Sequence, residues 1–197
     1  MKITVTRACL APAIVSLAAL SACGGGGSDV PAVGAAPTGP AASAAPATTA
    51  GSTCGISDFA NAALARMNAL RAAGADCRTG GKFAPAAALT WSAPLTQSSE
   101  AHTQDMVAHN FFSHTGSNGS TLSVRVDATG YLWNALGENI AAGYSGLDAV
   151  MAGWMASDGH CSNLMNPAFK EVGLVCVPGT ATTTYNTYWT MDLGLSR

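Results

Sequence analysis

The stretch EVGLVCVPGTATTTYNTYWTMDL, residues 171–193, decides the fold class. In its second half Trp189, Met191 and Leu193 alternate with Tyr188, Thr190 and Asp192, the two-residue period of a half-buried antiparallel strand. Its first half, 171–177, is a second strand-like run, and a turn region opening on Pro178-Gly179-Thr180 separates the two. The segments ahead of this pair read differently. Residues 56–74 place Ile56, Phe59, Ala63, Met67 and Leu70 on one helical stripe, start at Ser57-Asp58 and stop at Gly74. A second helix is expected from Trp91 to about Asn110, with Ser92 as cap and Pro94 tolerated in the first turn. Residues 121–128 read as a short helix closing at Gly130, 137–142 as an extended segment, and 146–156 as a helix with Leu147, Val150, Met151 and Trp154 on one face. Helices come early and an antiparallel pair comes late, which is the α+β order, with helices packed on a sheet.

The beginning of the chain does not belong to this pattern. Lys2 and Arg7 precede an apolar run too short for an ordinary membrane span, and small residues lead to Cys23, as in a secretory signal. Leu20-Ser21-Ala22-Cys23 resembles the lipobox of bacterial lipoproteins, in which the cysteine is acylated after cleavage, and Gly24 resembles the outer-membrane rather than the inner-membrane sorting pattern. The expectation is a signal at 1–22, a lipid anchor on Cys23, and a Gly/Ala/Pro/Thr tether over 23–53. As a flexible coil that tether spans on the order of 30 Å. Residues 54–197 are then one domain, long enough to bury a core.

Charge narrows the partners. The whole chain carries nine basic and eleven acidic residues for a net −2, and loss of Lys2 and Arg7 with the signal takes it to −4. With no basic patch and no Gly-rich phosphate loop, nucleic acid is not an expected partner. Cys9 leaves with the signal and Cys23 is taken up by the expected acylation, so Cys54, Cys77, Cys161 and Cys176 remain, an even set suited to disulfides in an oxidising compartment. Four cysteines allow three pairings, and spacing does not choose among them.

Three titratable residues stand out by context: His114 at the end of FFSH, Glu138 in the apolar run LGENI, and His160 closing the helix before it in SDGH. Small residues flank each one and let other groups approach. Intervals of 24 and 22 residues carry no metal-motif spacing, so any meeting of the three depends on the fold. His102 lies on the inward stripe of its helix between Leu95 and Met106, as a buried histidine satisfied by a backbone or hydroxyl group would. His109, near the helix end, complements the dipole.

A longer series of short motifs adds a family. LTWS from Leu89, HTQDM from His102, FSH ending at His114, Arg125, Gly130-Tyr131, GENIAAG from Gly137, WMAS from Trp154, Gly159-His160, NLMNP from Asn163, Val172-Gly173 and YWT from Tyr188 follow one another in order. The series resembles the bacterial branch of the CAP superfamily, named for cysteine-rich secretory proteins, venom allergens and plant pathogenesis-related proteins, over residues 58–194. The resemblance implies a three-layer α-β-α sandwich with a small antiparallel sheet and a cleft of two histidines and two carboxylates, able to hold Zn2+ or another divalent cation. It places the first histidine on His114, the first glutamate on Glu138 and the second histidine on His160, so that His114, His160 and Glu138 become the candidate metal ligands. The second glutamate has no match; Ser157-Asp158 stands there, with Asp158 as a substitute carboxylate or as a solvent-facing turn residue. The resemblance also pairs Cys77 with Cys161, leaving Cys54 for Cys176. The function it implies is an outer-membrane-anchored or secreted envelope module that binds a cation or a small apolar, lipid-like ligand. The alternative is a metal-assisted, peptidase-like hydrolase with Glu138 as general base.

Overall fold

The computed structural model describes residues 52–197, so the expected signal 1–22, Cys23 and nearly all of the tether 23–53 lie outside the described residues. The elements are α1 (Phe59–Ala73), β1 (Ala75–Asp76), β2 (Lys82–Phe83), β3 (Thr90–Trp91), α2 (Ala93–Ala108), α3 (Leu122–Asp127), β4 (Trp133–Ala142), α4 (Leu147–Met155), α5 (Asp158–Met165), β5 (Glu171–Pro178) and β6 (Thr187–Ser196). One sheet has the order β3-β5-β6-β4, and β1 pairs with β2 in a separate hairpin. The expected late pair is β5 and β6, antiparallel from Glu171 opposite Gly194 to Pro178 opposite Thr187. The 137–142 segment becomes β4, antiparallel to β6. The two-residue β3 runs parallel to β5, so the sheet is mixed rather than purely antiparallel.

Helices cover both faces of the sheet. On one side Phe59 and Met67 of α1, Val150, Met151 and Trp154 of α4 and Leu164 of α5 pack on Leu174, Trp189, Met191 and Leu193. On the other, α2 lies on β5 and β6 while α3 reaches β4. Gly173 permits that approach, because a Cβ there would stand 2.1 Å from the Thr96 nitrogen. The second helix layer corrects the half-buried reading of the last strand, since residues 188–193 are buried on both faces. Alternation in β6 therefore marks an apolar and a polar interior, each roofed by helices.

Other local readings shift in instructive ways. Thr121 caps α3 through its hydroxyl, which accepts from the Val124 N–H. Ser92 precedes α2 as expected but makes no side-chain cap; its carbonyl accepts from the Thr96 hydroxyl at 2.8 Å. His160 does not close the preceding helix. α4 ends at Met155, Ser157 is extended, and His160 stands in the first turn of a separate helix, α5. Eight residues with glycine, serine and asparagine among them show too little apolar period to be recognised alone, but Cys161, Leu164 and Met165 give α5 a buried side.

Both implied disulfides are present, Cys54–Cys176 with Cα atoms 5.3 Å apart and Cys77–Cys161 at 5.6 Å. Arg71, fully buried in α1, donates to the carbonyls of Ala87, Leu164, Asn166 and Phe169. It thereby satisfies carbonyls at and beyond the C-terminal end of α5 that helix geometry leaves without partners.

Candidate functional site

His114 follows α2 in the loop before α3, Arg125 lies in α3, and Glu138 sits within β4. His114 Nδ1 and Glu138 Oε1 are 2.7 Å apart, and Arg125 Nη2 donates to Glu138 Oε2 at 2.5 Å. Arg125 Nη1 also donates to the carbonyls of His114 and Ser120, at 3.2 and 3.0 Å, so one guanidinium ties the loop to the helix and to the acid. The Glu138 side chain is 3% exposed while that of His114 is 58% exposed. Both carboxylate oxygens are thus engaged inside the protein, and the imidazole held through Nδ1 keeps its Nε2 side toward the open.

Charges in this group are set by their neighbours. Burial pushes the Glu138 carboxyl up, but the His114 hydrogen bond and the Arg125 charge outweigh it and hold the group below the ordinary carboxylate range. The same hydrogen bond raises the His114 imidazole against the effect of burial. His160 is lowered, by burial first and by the His114 charge second, so the two imidazoles are within electrostatic reach of each other.

His114 lies on the α2–α3 side of the sheet and His160, in α5, on the other, with the edge strand β4 between them. β4 is an edge strand. The Gly143 N–H donates to Thr187 O at 2.9 Å, which places the odd-numbered residues of β4 in the hydrogen-bonded phase and turns the main chain of Glu138, Ile140 and Ala142 outward. Outward carbonyls are used to fasten the neighbouring helices: Glu138 O accepts from Asn163 Nδ2 at 3.1 Å, and Ile140 O from Trp154 Nε1 at 3.2 Å. Asn139 Nδ2 donates to His160 O at 3.0 Å, and Asn163 Nδ2 also donates to Asn139 Oδ1 at 2.9 Å. Beside this edge runs a groove of about 250 Å³ with His160 and Trp154 among its lining residues, together with Phe112, Tyr144 and Tyr185.

The remaining histidines and Asp158 do not join the site as ligands. His102 is fully buried with Nε2 2.8 Å from Ser113 O, as expected of a backbone-satisfied histidine, although its Nδ1 has no partner. His109 stands at the end of α2 beside the Asp105 carboxylate at 2.8 Å. Asp158 does not replace the missing glutamate: it meets Arg78 Nε at 2.6 Å and the hydroxyl and N–H of Thr79. The Cys77–Cys161 disulfide holds the 3-10 turn Arg78–Gly80 against the first turn of α5, so a carboxylate at 158 finds that turn first. Sequence reasoning assigned no role to Arg125, Asn139 or Asn163. The signal available was an arginine between two valines in SVRVD and asparagines inside GENI and NLMNP.

The residues can be tested against a cation. Among the described residues no three of His, Cys, Asp and Glu are grouped so as to hold a metal ion. What is present is a pair of imidazoles, one with its tautomer and orientation fixed by a buried carboxylate, the arrangement that carboxylate–histidine–metal sites use. By donor chemistry alone, imidazole nitrogens suit a cation with two protein ligands and its other positions open. Glu138 fits the outer partner of His114 rather than a direct ligand.

Several known proteins share this chain's pattern. It is 32% identical over 88 residues, 45% of this chain, to the uncharacterized membrane protein YlbC of Bacillus subtilis. It is 34% identical over 80 residues, 41% of this chain, to the uncharacterized protein YkwD of the same organism. These stretches amount to 25% and 31% of those proteins' own lengths. Among solved structures, an extracellular protein of Bacillus anthracis containing an SCP domain superposes with a TM-score of 0.54 at 25% identity, covering 76% of this chain and 44% of that one. An outer surface protein of Borrelia burgdorferi shares the fold at a TM-score of 0.52 and 19% identity, covering 57% of this chain and 80% of that one. The sequence profile of the cysteine-rich secretory protein family, CAP, matches residues 64–193. That match takes in β4 through β6, His114, Glu138 and His160, and well over half of the chain: the protein belongs to the CAP family.

Proposed function

We propose that this CAP domain is an exported, envelope-anchored binding module whose groove along β4 takes a small apolar, lipid-like ligand beside a two-histidine cation site. The observation that carries the reading is the groove's composition. Of the five exposed large hydrophobic residues among those described, Phe112, Tyr144 and Tyr185 line this one groove, where His160 is also found. Apolar walls with a few convergent polar groups are the ordinary make-up of a small-molecule site. Export is supported by two disulfides, which persist in oxidising compartments, and by the extracellular description of the Bacillus anthracis relative. Anchoring rests on Cys23 in its lipobox-like context and is read directly from the intact mass of the mature N-terminus.

His114 and His160 would hold the cation, Zn2+ being the natural choice for imidazole nitrogens, with Glu138 orienting His114. A bound cation supplies a Lewis acid with open positions for water or ligand. His114 gives up its proton on binding, so affinity falls as pH drops through the raised His114 value. The hydrolase alternative finds Glu138 with both oxygens engaged and its side chain sealed, which leaves His114, not Glu138, as the group able to accept a proton from water.

Two titrations test the reading. A fluorescent fatty acid should bind the wild-type domain and lose at least tenfold in affinity in Phe112→Ser/Tyr185→Ser; equal binding by both proteins rejects the groove. Zinc calorimetry should give heat with the wild type and little with His114→Ala or His160→Ala, and the same negligible heat from all three removes the cation site.

A further inference from the structure

A second hollow lies on the other side of the sheet from the α1, α4 and α5 layer. It opens between α2 and α3, has a volume of about 390 Å³, and has neither His114 nor His160 among its lining residues. That size is toward the small end of the roughly 300 to 1,000 Å³ usual for small-molecule sites. Its apolar wall is Ala101 of α2, Val124 of α3 and Ala128 just after α3. Val124 is one of the two exposed large hydrophobic residues that the groove along β4 leaves out. The carboxamides of Gln97 and Asn118, both exposed, stand at the rim.

The floor is polar and fixed. His102 and Arg125 line it, at 0% and 8% exposure. His102 Nε2 is 2.8 Å from Ser113 O; a carbonyl only accepts, so Nε2 carries the proton and Nδ1 presents a lone pair. Arg125 spends Nη1 on the carbonyls of His114 and Ser120 and Nη2 on Glu138. What remains is one acceptor, His102 Nδ1, and one donor, the Arg125 Nε–H, neither with a partner among the described residues. The two side chains are near enough for the Arg125 charge to bear on the His102 ring. Both atoms are closed to bulk water, so each carries the cost of an unmade hydrogen bond until a group seated between the helices supplies it.

Charge does not select the ligand. Arg125 is matched by Glu138, and Asp105, the other charged residue lining the hollow, accepts from the N–H and hydroxyl of Ser117 and stands beside His109. A neutral ligand suits such a place, one that brings a donor and an acceptor together next to a small apolar group. A secondary amide has that form. Its N–H matches His102 Nδ1, its carbonyl matches the Arg125 Nε–H, and an acetyl methyl matches the wall of Ala101, Val124 and Ala128. Beyond the amide, carboxamides at the rim offer both donors and acceptors to hydroxyl groups.

We propose that the hollow between α2 and α3 is a second binding site, which takes a neutral N-acetylated sugar by its acetamido group, with the ring hydroxyls on Gln97 and Asn118. Because His102 and Arg125 are already held by the loop that follows α2, binding orders little of the protein. The proposal rests on neither the cation nor the apolar ligand of the groove.

Its test uses neither. Nitrogen-15 NMR on the chelator-treated protein follows a titration with N,N′-diacetylchitobiose, with cellobiose as the matching disaccharide without acetamido groups and N-acetylalanine methylamide as the amide without the sugar. Saturable shifts are expected at Ala101, Val124, Ala128 and His102 Nδ1. Cellobiose and the simple amide should each bind about tenfold more weakly or worse, the scale of a lost hydrogen-bonded contact. Ala101→Trp fills the hollow from an exposed position, so it should weaken the acetylated sugar by at least about tenfold while melting close to the wild type. Should Ala101→Trp not fold, Gln97→Ala, also exposed, takes its place and should weaken binding several-fold. The proposal is overturned by the absence of saturable shifts, by shifts centred on Phe112 and Tyr185, by cellobiose or the amide binding as tightly as the acetylated sugar, or by undiminished binding in the variants. A groove that fails the fatty-acid titration leaves it standing, because the two sites share no lining residue.

Discussion

The two faces of the sheet are built from different material. Toward α1, α4 and α5 the interior is tryptophan, methionine, leucine and valine, centred on Trp154, Trp189, Met191 and Leu193. Toward α2 and α3 the same strands present Glu138, Thr190 and Asp192 to Ser98, Ser99, His102, Thr103 and Arg125, all of them buried. The apolar face has few polar groups, Arg71, Asn139 and the Trp154 indole among them with their acceptors in place, and contributes chiefly through transfer from water. The polar face depends on matched hydrogen bonds and charges, and its least satisfied groups collect next to Glu138: His102 Nδ1 and Arg125 Nε have no partner, and fully buried Asp192 has only the Ser98 and Ser99 hydroxyls beside it. Natural proteins tolerate such groups where they serve something other than stability.

This contrast can be broken or sharpened by experiment. The largest effect is expected where the α5 layer is covalently fixed. Replacing Cys77 and Cys161 together by alanine opens a connection spanning 84 residues and should cost about 4 to 5 kcal/mol in the chain-entropy account, read from urea denaturation. Because that link fastens the first turn of α5, the same variant should also lose zinc affinity while His114 and Glu138 remain intact.

Adjacent residues of β6 compare the faces directly. Met191→Ala opens a cavity on the apolar side and should cost about 3 kcal/mol. Thr190→Val removes the 2.7 Å hydrogen bond to Thr103 on the polar side and should cost about 1 kcal/mol. Equal costs in denaturant titrations would mean that the two interiors are energetically alike and that the division drawn here is only one of composition.

A smaller effect should appear with pH. The unfolded chain takes up protons on His102 and His160 near 6.5, whereas burial lowers both in the folded state. Stability should therefore decline as pH falls below about 6.5. His102→Gln should decline less steeply than the wild type between pH 7 and 5, retaining the share due to His160, and an unchanged slope would show that His102 is not held neutral. The smallest effect is expected at Asp158, whose partners Arg78 and Thr79 lie away from the groove. Asp158→Asn should leave zinc affinity within about twofold, since a lost exposed pair is worth little; a tenfold loss would restore Asp158 to the site.

Much of the architecture was legible because periodicity is local. Five apolar positions over 56–74 are enough to expect a helix, and Trp189, Met191 and Leu193 are enough to expect a strand. What alternation could not tell is that Tyr188, Thr190 and Asp192 are as buried as their neighbours, because a polar side of a strand looks the same in sequence whether water or another helix lies over it. α5 was missed for a related reason: with only Cys161, Leu164 and Met165 facing inward, its pattern is shorter than the window in which a helical period stands out.

At the candidate site, the sequence by itself determined which chemistry is on offer: two imidazoles flanked by small residues, a carboxylate in an apolar run, and an even set of cysteines for an oxidising compartment. Residue types and their immediate flanks carry that information because titration and oxidation are properties of single side chains. Only the tertiary structure decided that Glu138 is shared between His114 and Arg125, that Asp158 turns to Arg78, and that Asp192 faces Glu138 across two strands. Those outcomes depend on the phase of hydrogen bonding between β4 and β6, and a shift of one residue there would send Glu138 to the opposite face.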